Sequence, residues 1–265
     1  MKVSVITAVF SNKAFVKDAI ESVLAQKNVE IEYIVVDGGS KDGTVEIVKS
    51  YGGNIDKFIS EPDEGVYFAL NKGISLATGD IIALLHSDDF YAHPYVLSQV
   101  VEAFERTQCE AVYSNLYYVK SSNTNKIIRL WDSGDYQNSS FYKGWMPPHP
   151  AFFAKRTVYQ KFGSFNTLLK SAADYELMLR LIFKNKIDLY YIPKFFVKMR
   201  TGGASNRSLI NRIKANMEDR KAWNINGLEP RWYTLMLKPL IKLFQYRFFS
   251  YFRPDHIHSN HEHTF

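Results

Sequence analysis

Strand-like and helix-like segments alternate along the first 90 residues, and this alternation restricts the fold more than any other feature of the sequence. The segment 3–10 is nearly all apolar and rich in β-branched residues, as a strand buried on both faces of a parallel sheet is, and 32–37, with its apolar centre, is predicted to be a second buried strand. The polar pair Ser11-Asn12 can cap the helix that follows the first strand. The pattern predicts a doubly wound α/β sheet with ligands at the carboxyl ends of its strands.

Further elements continue the alternation as far as residue 90 and then follow one another less regularly. Those before residue 90 are a helix from Thr44 to about Tyr51, a strand at 57–60, a helix over 66–77 ended by Thr78-Gly79, and a strand at 80–85. Those after it are a helix near 96–106, strands near 111–119 and 127–130, an aromatic and proline-rich stretch up to Pro150, a helix over 174–183 and a strand over 190–193.

Composition and charge narrow the class of protein. With 46% apolar, 15% aromatic and 23% charged residues, the chain has the make-up of a folded globular protein. The sequence starts without a recognisable export signal and has no run of about 18 apolar residues, so neither secretion nor a spanning helix is predicted. The single Cys109 fits a reducing compartment. The net charge of +6 suits an anionic lipid surface, a phosphate-rich substrate or a nucleic acid.

Acidic residues follow two of the predicted strands. Asp88 and Asp89 come directly after an apolar strand, where carboxylates suit Mg²⁺ or Mn²⁺ that bridges a diphosphate. The alternative is that one of them caps a following helix. Asp37 ends the second strand before a glycine-rich segment, and it could accept from a nucleobase or a ribose hydroxyl. Its alternative is a plain strand-to-helix turn.

The second half offers weaker candidates. Asp174 and Glu176 open a predicted helix, where either a general base or acids that complement the helix dipole would be found. His149 and Trp145 could line a sugar site, or they could be packed loop aromatics. Arg207 follows a glycine-containing loop that could lie over a diphosphate, although flexible turns beside an arginine are common.

Several other nucleotide-binding classes fit the sequence poorly. The spacing from Gly38 to Gly43 matches that of a phosphate loop, but Thr44 stands where lysine is required, and no G-x-G-x-x-G segment is present. A nucleotidyltransferase would need a basic, glycine-rich loop after the first strand, and residues 7–12 do not form one. No nucleic-acid motif accompanies the positive charge, so no nucleic-acid partner is predicted.

Taken in order, these segments resemble family 2 glycosyltransferases, an inverting group with the GT-A fold, over roughly residues 1–205. The segments that carry the resemblance are Ser4-Val-Ile-Thr-Ala-Val-Phe-Ser-Asn12, Ile34-Val-Val-Asp-Gly-Gly-Ser-Lys-Asp-Gly-Thr44, Glu61-Pro-Asp-Glu-Gly-Val-Tyr67, Ala69-Leu-Asn-Lys-Gly-Ile74, Ala77-Thr-Gly-Asp80, His86-Ser-Asp-Asp89 and Ala173-Asp-Tyr-Glu176. The resemblance implies a Rossmann-like mixed sheet flanked by helices. It also implies a catalytic domain over 1–205, with a nucleotide-sugar-binding half at 1–90 and an acceptor-binding half at 91–205.

The resemblance also assigns roles to individual residues. Asp174 matches the catalytic base, and Asp89 is the candidate ligand of a divalent Mn²⁺ or Mg²⁺. His149, Trp145 and Glu176 are candidates on the acceptor side. The residues expected to bind the nucleotide sugar, with a UDP-sugar favoured, are Thr7, Ala8, Asp37, Asp63, Asn71, Lys72, Ser87, Asp88 and Arg207.

Two positions depart from the family pattern. His86-Ser87 replaces a first acidic position that many members have, so the metal would be held largely by one aspartate and the donor phosphates. Leu70 stands where some members carry arginine, which leaves Lys72 or Arg207 to offset the diphosphate charge.

The segment 206–265 is predicted to be a C-terminal amphipathic helical extension. Its apolar stripe consists of Leu237, Leu240, Ile241, Phe244 and Phe248. Its polar, partly basic side consists of Lys238, Lys242 and Gln245. This pattern is typical of a helix at a membrane surface. It predicts a cytoplasmic enzyme attached to the inner face of the cytoplasmic membrane, with a lipid-linked or oligosaccharide acceptor. The alternative is a non-catalytic nucleotide-sugar-binding module.

Overall fold

The computed structural model describes residues 1–202 and 209–237. Within these residues, nine strands form one mixed sheet in the order β3-β2-β1-β4-β8-β6-β9-β5, with β7 paired to β6. The strands are β1 (Lys2–Val9), β2 (Glu30–Asp37), β3 (Lys57–Ser60), β4 (Ile81–Leu84), β5 (Phe90–Tyr91), β6 (Ala111–Lys120), β7 (Asn123–Trp131), β8 (Phe152–Lys155) and β9 (Leu189–Arg200). The predicted mixed α/β sheet is confirmed.

Helices cover both faces of the sheet. They are α1 (Val16–Leu24), α2 (Thr44–Ser50), α3 (Val66–Leu76), α4 (Val96–Thr107), α5 (Arg156–Phe162), α6 (Ala173–Met178) and α7 (Leu209–Ile225), with a π-helical turn at Leu179–Lys184 and short 3₁₀ turns at Gly52–Asn54, Phe141–Lys143 and His149–Ala151. No helix in these two ranges is long and apolar enough to span a membrane.

Side chains of β1 alternate between the two hydrophobic clusters that the sheet separates. Val3 and Val5 pack with helices α1 and α4, whereas Ile6 and Ala8 pack with α3 and α6. Helix α3 lies very close to β1, because a Cβ on Gly73 would come within 2.3 Å of Ile6 Cγ2. This close packing fixes the position of α3 beneath the carboxyl ends of the parallel strands.

Strand register brings the loops after β1, β2 and β4 to one edge of the sheet. Val9 pairs with Asp37 in the parallel β1–β2 ladder, and Ile6 pairs with Leu84 in the β1–β4 ladder. The segments that follow these strands therefore start side by side. We call this edge the site rim.

Two predictions of the second half need correction. The strand predicted at 190–193 continues to Arg200, because Pro193, which cannot donate to a ladder, falls at an irregularity where Ser114 pairs with Ile192 and Asn115 with Phe195. The helix predicted over 174–183 begins at Ala173 and changes to a π-helical turn after Met178.

Helix α7, which belongs to the predicted extension, packs on the same core as the sheet. Trp223 is fully buried in the cluster that contains α3 and α6, and its indole Nε1–H donates to Tyr175 Oη over 2.9 Å. Glu218 accepts from the backbone N–H groups of residues 170–172, just before α6. The described part of the extension therefore holds the segment that precedes Asp174. The amphipathic stripe beyond Leu237 lies outside the described residues.

Candidate active site

Asp37 shapes the loop that follows β2. The residue is fully buried, and its Oδ2 accepts from the N–H groups of Gly39 and Ser40 and from Ser60 Oγ, at 2.7–3.0 Å. Ser40 Oγ donates to the other oxygen. Gly39 has φ +86°, which favours glycine. The carboxylate therefore holds a tight turn, as the plain-turn alternative requires, and the turn places the loop backbone at the site rim.

The other predicted base and ribose residues lie around this loop. Thr7 is buried and its hydroxyl is 3.2 Å from Tyr33 Oη, so the side chain faces the interior. Ala8 is also buried. Asp63 lies against Gly38, where an added Cβ would be 3.0 Å from Asp63 Oδ2. The side chains of Thr7 and Ala8 are thus turned away from solvent, whereas Asp63 can offer a carboxylate.

Asn71 and Lys72 have partners within the chain. The Asn71 amide donates to the Phe165 carbonyl and accepts from the Phe165 N–H, both at 2.9 Å. This pair joins α3 to the loop that leads towards α6. Lys72 forms an ion pair with Glu61. A diphosphate would have to compete with Glu61 for the Lys72 ammonium group.

The loop 86–89 extends from β4 along the site rim. Asn12 Nδ2 donates to Ser87 Oγ over 2.8 Å, which links this loop to the end of β1. Asp89 is fully buried, and its Oδ1 accepts from the Arg200 N–H over 3.3 Å. Its Oδ2 is buried with no hydrogen-bond partner among the described residues. A strand follows Asp89, so neither aspartate caps a helix there.

The electrostatics of this loop suit a cation. Burial raises the pKa of Asp89 well above its usual range, the Asp88 carboxylate adds to this effect, and Arg200 opposes it. Burial also raises the pKa of Asp88. No group of three or more His, Cys, Asp or Glu side chains in the described chain is arranged to bind a metal. An unpaired oxygen of a buried carboxylate is nevertheless the type of donor that Mg²⁺ or Mn²⁺ accepts when substrate phosphates complete its shell.

Arg200 is a site residue that the sequence did not reveal. Its guanidinium lies between the rings of Phe15 and Phe90, 4.7 and 4.8 Å from their centroids. It donates to the Asp88 carbonyl over 2.7 Å and forms an ion pair with Asp18. Arg200 therefore links the loop 86–89, which we call the acidic loop, to α1. It is 111 residues from Asp89 in the chain, so no local pattern could indicate the contact.

Asp174 stands at the start of α6 within a cluster of aromatic and imidazole groups. His149 Nδ1 is 3.3 Å from Asp174 Oδ2, and His149 Nε2 is 2.6 Å from His86 Nε2. Tyr67 Oη is 3.5 Å from Asp174 Oδ1. The Asp174 side chain keeps 21% of its surface exposed. The structure thus connects Asp174 to the loop 86–89 through two histidines.

The ionisation of the groups around Asp174 follows from burial. Burial lowers the pKa of His86 to about 3, and the neighbouring His149 acts in the same direction. Burial and the charge of Asp174 raise the pKa of Tyr67, which stays protonated. His86 is therefore neutral at physiological pH, and Tyr67 can donate to Asp174.

Glu176 and Trp145 do not combine with Asp174 in the same way. Glu176 is 1% exposed, and its carboxylate accepts from Arg180 and from Asn226, which directly follows α7. Trp145 donates its indole N–H to the Ser133 carbonyl over 2.6 Å and packs against other rings. Both side chains have structural contacts that account for their positions. Arg207 lies outside the described residues.

Phe10 is a second residue that the sequence did not single out. It follows β1 at the site rim, and 66% of its surface is exposed. An exposed aromatic ring at this edge can stack on a flat aromatic group of a ligand. The sequence pattern assigns an apolar residue directly after a buried strand to that strand, so it did not indicate that Phe10 is exposed.

Known proteins with similar sequences are glycosyltransferases. An uncharacterised glycosyltransferase of Mycobacterium tuberculosis is 33% identical over 180 residues, which is 67% of this chain and 68% of that protein. A glycosyltransferase of Mycobacterium bovis, named for PGL/p-HBAD biosynthesis, is 24% identical over 79% of this chain and 80% of its own length.

Solved structures that contain a bound nucleotide sugar share the fold. Residues 1–349 of S. aureus TarS in complex with UDP-GlcNAc match 96% of this chain and 74% of that one, with a TM-score of 0.67 and 17% identity. This chain spans 44% of a longer TarS structure. A mannosyltransferase from Pyrobaculum calidifontis in complex with GDP-Man and Mn²⁺ matches 92% of this chain and 69% of that one, with a TM-score of 0.63 and 18% identity. The sheet thus has the GT-A architecture of these neighbours.

The family described as Glycosyl transferase family 2 matches residues 4–163, which is more than half of the chain and extends from within β1 to beyond β8. The match includes the loops that follow β1, β2 and β4 at the site rim. This chain therefore belongs to glycosyltransferase family 2.

Proposed function

We propose that this protein transfers a sugar from a nucleoside-diphosphate sugar to an acceptor hydroxyl with inversion at the anomeric carbon, and that Asp174 is the general base. The observation that carries the proposal is the connection of Asp174 to the acidic loop through His149 and His86. A base and a diphosphate site at one edge of a sheet are what an in-line displacement needs.

The donor lies along the site rim in this proposal. The loop held by Asp37, together with Asp63 and the backbone of Thr7 and Ala8, surrounds the base and ribose. Asn71, Lys72, Ser87 and Asp88 lie towards the diphosphate, and Arg207 is assigned there from the sequence. A UDP-sugar is the favoured donor, which is supported by the UDP-GlcNAc bound to the structural neighbour TarS.

Asp89 would hold a divalent metal through its unpaired Oδ2. Mg²⁺ or Mn²⁺ at this position would offset the charge that develops on the departing nucleoside diphosphate. The chain contributes a fully buried carboxylate whose Oδ2 has no hydrogen-bond partner among the described residues. Arg200 holds the loop in place through the Asp88 carbonyl and the Asp89 carboxylate.

Asp174 would take the proton of the acceptor hydroxyl as the new glycosidic bond forms. A partly exposed carboxylate can contact an acceptor and still be held in one orientation by its neighbours. A positioned base contributes roughly 100- to 10,000-fold to the rate in such reactions.

The acceptor is proposed to be a lipid-linked oligosaccharide in cell-surface polysaccharide synthesis. The predicted amphipathic stripe of the C-terminal extension would attach the enzyme to the cytoplasmic face of the membrane, where such acceptors are presented. Basic residues near an anionic surface contribute on the order of 1 kcal/mol each. Sedimentation of the full chain with anionic lipid vesicles tests this attachment, and recovery of the protein in the supernatant at low salt would contradict it.

The transfer reaction is tested with a panel of UDP-, GDP- and dTDP-sugars. Release of nucleoside diphosphate is measured with Mn²⁺ or with EDTA, in the presence of lipid-linked acceptors, for the wild type, Asp174→Asn and the exposed control Asp135→Asn. We expect release from one donor, with about a 100-fold or greater loss in Asp174→Asn and none in the control. Donor binding without turnover would favour the alternative, a nucleotide-sugar-binding module.

A further inference from the structure

His86, His149 and Asp174 form a continuous series of polar contacts, with His86 Nε2 2.6 Å from His149 Nε2 and His149 Nδ1 3.3 Å from Asp174 Oδ2. His86 follows β4, His149 stands in a 3₁₀ turn between Pro148 and Pro150, and Asp174 lies in the first turn of α6. The two imidazole rings meet edge to face, with their centroids 4.9 Å apart at an interplanar angle of 76°. Three separate elements of the fold therefore converge on one carboxylate.

The Asp174 carboxylate determines which ring nitrogens of His149 and His86 carry a proton. An ionised carboxylate can only accept, so His149 Nδ1 carries the proton that faces Asp174. In a neutral ring, His149 Nε2 is then an acceptor, and His86 Nε2–H donates to it over 2.6 Å. Both nitrogens of His149 are committed to protein groups, which leaves neither for a sugar hydroxyl.

We propose that His149 is a positioning residue for Asp174, and that His86 in turn orients His149. This inference rests on the proposed function, in which Asp174 is the base. His149 Nδ1, 3.3 Å from Oδ2, limits the rotation of the carboxylate, while Tyr67 Oη and the Tyr175 N–H contact Oδ1. His149 thus acts through Asp174 rather than as a direct acceptor ligand.

The flanking prolines support a positioning role. Pro148 and Pro150 restrict the backbone on both sides of His149, so the segment that carries the imidazole has little conformational freedom. His149 keeps only 18% of its side-chain surface exposed. A rigid imidazole can hold a carboxylate within the narrow range of directions that proton transfer demands, where a displacement of 1 Å costs about 100-fold in rate.

Replacement of His149 in two forms separates the hydrogen bond from the ring. His149→Leu removes the donor, and we expect kcat to fall about 100-fold while the donor KM stays within about twofold. His149→Asn places an amide N–H near the position of Nδ1, and we expect kcat to recover to within about fivefold of the wild type. Equal losses in both variants would overturn the proposal.

A double-mutant cycle tests whether His149 acts through Asp174. In the Asp174→Asn background, His149→Leu should change kcat by less than about twofold, because the carboxylate that it orients is absent. A loss as large as that in the wild-type background would show that His149 acts independently. His93→Asn is the matched control, because His93 packs against Phe196 and belongs to neither the rim nor the cluster.

Ring ¹⁵N spectra of the folded wild-type protein give a readout that needs no turnover. A proton on His149 Nδ1 supports the proposed contact with Asp174, and an unprotonated Nδ1 overturns the proposal. If the wild type transfers no sugar from any donor, the proposed function fails, whereas the spectra still decide whether His149 donates to Asp174. Poor folding of His149→Leu would not affect this measurement.

Discussion

Glu32 is a buried carboxylate in β2, and its replacement by glutamine should destabilise the protein in a pH-dependent way. The residue is 3% exposed and lies beside Ser4 in the β1–β2 ladder. Its Oε1 accepts from Lys57 Nζ and Thr78 Oγ1 at 2.7 and 2.9 Å. Its Oε2 accepts from Ser4 Oγ and the Thr78 N–H at 2.5 and 2.7 Å. The group joins β1, β2, β3 and the turn after α3.

The magnitude follows from the pKa of the carboxyl group. Burial acts to raise the pKa of Glu32, but the hydrogen bonds from Lys57, Ser4 and Thr78 outweigh it and lower the pKa from 4.5 to about 2. At 1.36 kcal/mol per pKa unit, the ionised form stabilises the fold by roughly 3 kcal/mol. Glutamine retains the shape but turns an N–H₂ group towards these donors, so Glu32→Gln should lose about this amount.

The pH dependence has a defined sign. Because the pKa in the folded state lies below that in the unfolded state, the contribution is fully present above about pH 5 and is lost as the pH falls through 4.5 towards 2. The free-energy difference between wild type and Glu32→Gln should therefore shrink over this window. Urea unfolding followed by circular dichroism at pH 7, 5, 4 and 3 measures it.

A control on the same strand distinguishes this contribution from a general effect of charge. Glu30 lies at the exposed start of β2, and Glu30→Gln should change the free energy of unfolding by less than about 0.5 kcal/mol. A loss below 0.5 kcal/mol in Glu32→Gln at pH 7, or a difference that stays constant down to pH 3, would refute the reasoning.

Three further substitutions test the fold and the site. Gly73→Ala places a Cβ 2.3 Å from Ile6 Cγ2, so the melting temperature should fall by an amount that corresponds to about 1–3 kcal/mol. In the control Gly53→Ala, the added Cβ has no atom within 4 Å, and the change should stay below about 0.5 kcal/mol. Phe10→Ala should raise the donor KM about tenfold in steady-state assays with little change in kcat, and an unchanged KM would argue against base stacking. Glu218→Ala removes the acceptor for the N–H groups before α6. It should lower the free energy of unfolding by about 1–3 kcal/mol and should also lower kcat. Proteolysis at residues 170–172 and the transfer assay measure these two effects, and an unchanged kcat would mean that α7 does not support Asp174.

The fold of the first half could be predicted because its signals are local. Segments such as 3–10 and 32–37 are apolar enough to be buried on both faces, and the helices between them show the spacing of one apolar side. Strand β8 and helix α5 were missed because Phe152–Lys155 is only 4 residues long and adjoins the proline-rich stretch. β5 has only 2 residues and exists through its pairing with β9.

The candidate site could be predicted only in part. Acidic residues after strands indicated Asp37, Asp88 and Asp89 because the carboxyl ends of parallel strands meet at one edge. The sequence did not show that the Asp37 carboxylate accepts hydrogen bonds from the loop that follows it, or that Glu176 pairs with Arg180 and Asn226. These roles depend on partners that arrive from other elements.

The sequence by itself determined the alternation of strands and helices, the segments buried in the sheet and the edge at which acidic residues gather. These properties follow from the order of apolar and polar residues over short distances. Only the tertiary structure decided that His149 lies between His86 and Asp174, and that Arg200 holds the loop 86–89 from 111 residues away. Such contacts arise from the register of β9 on β6 and from the packing of α6 and α7, which depend on the whole chain because they join residues distant in sequence.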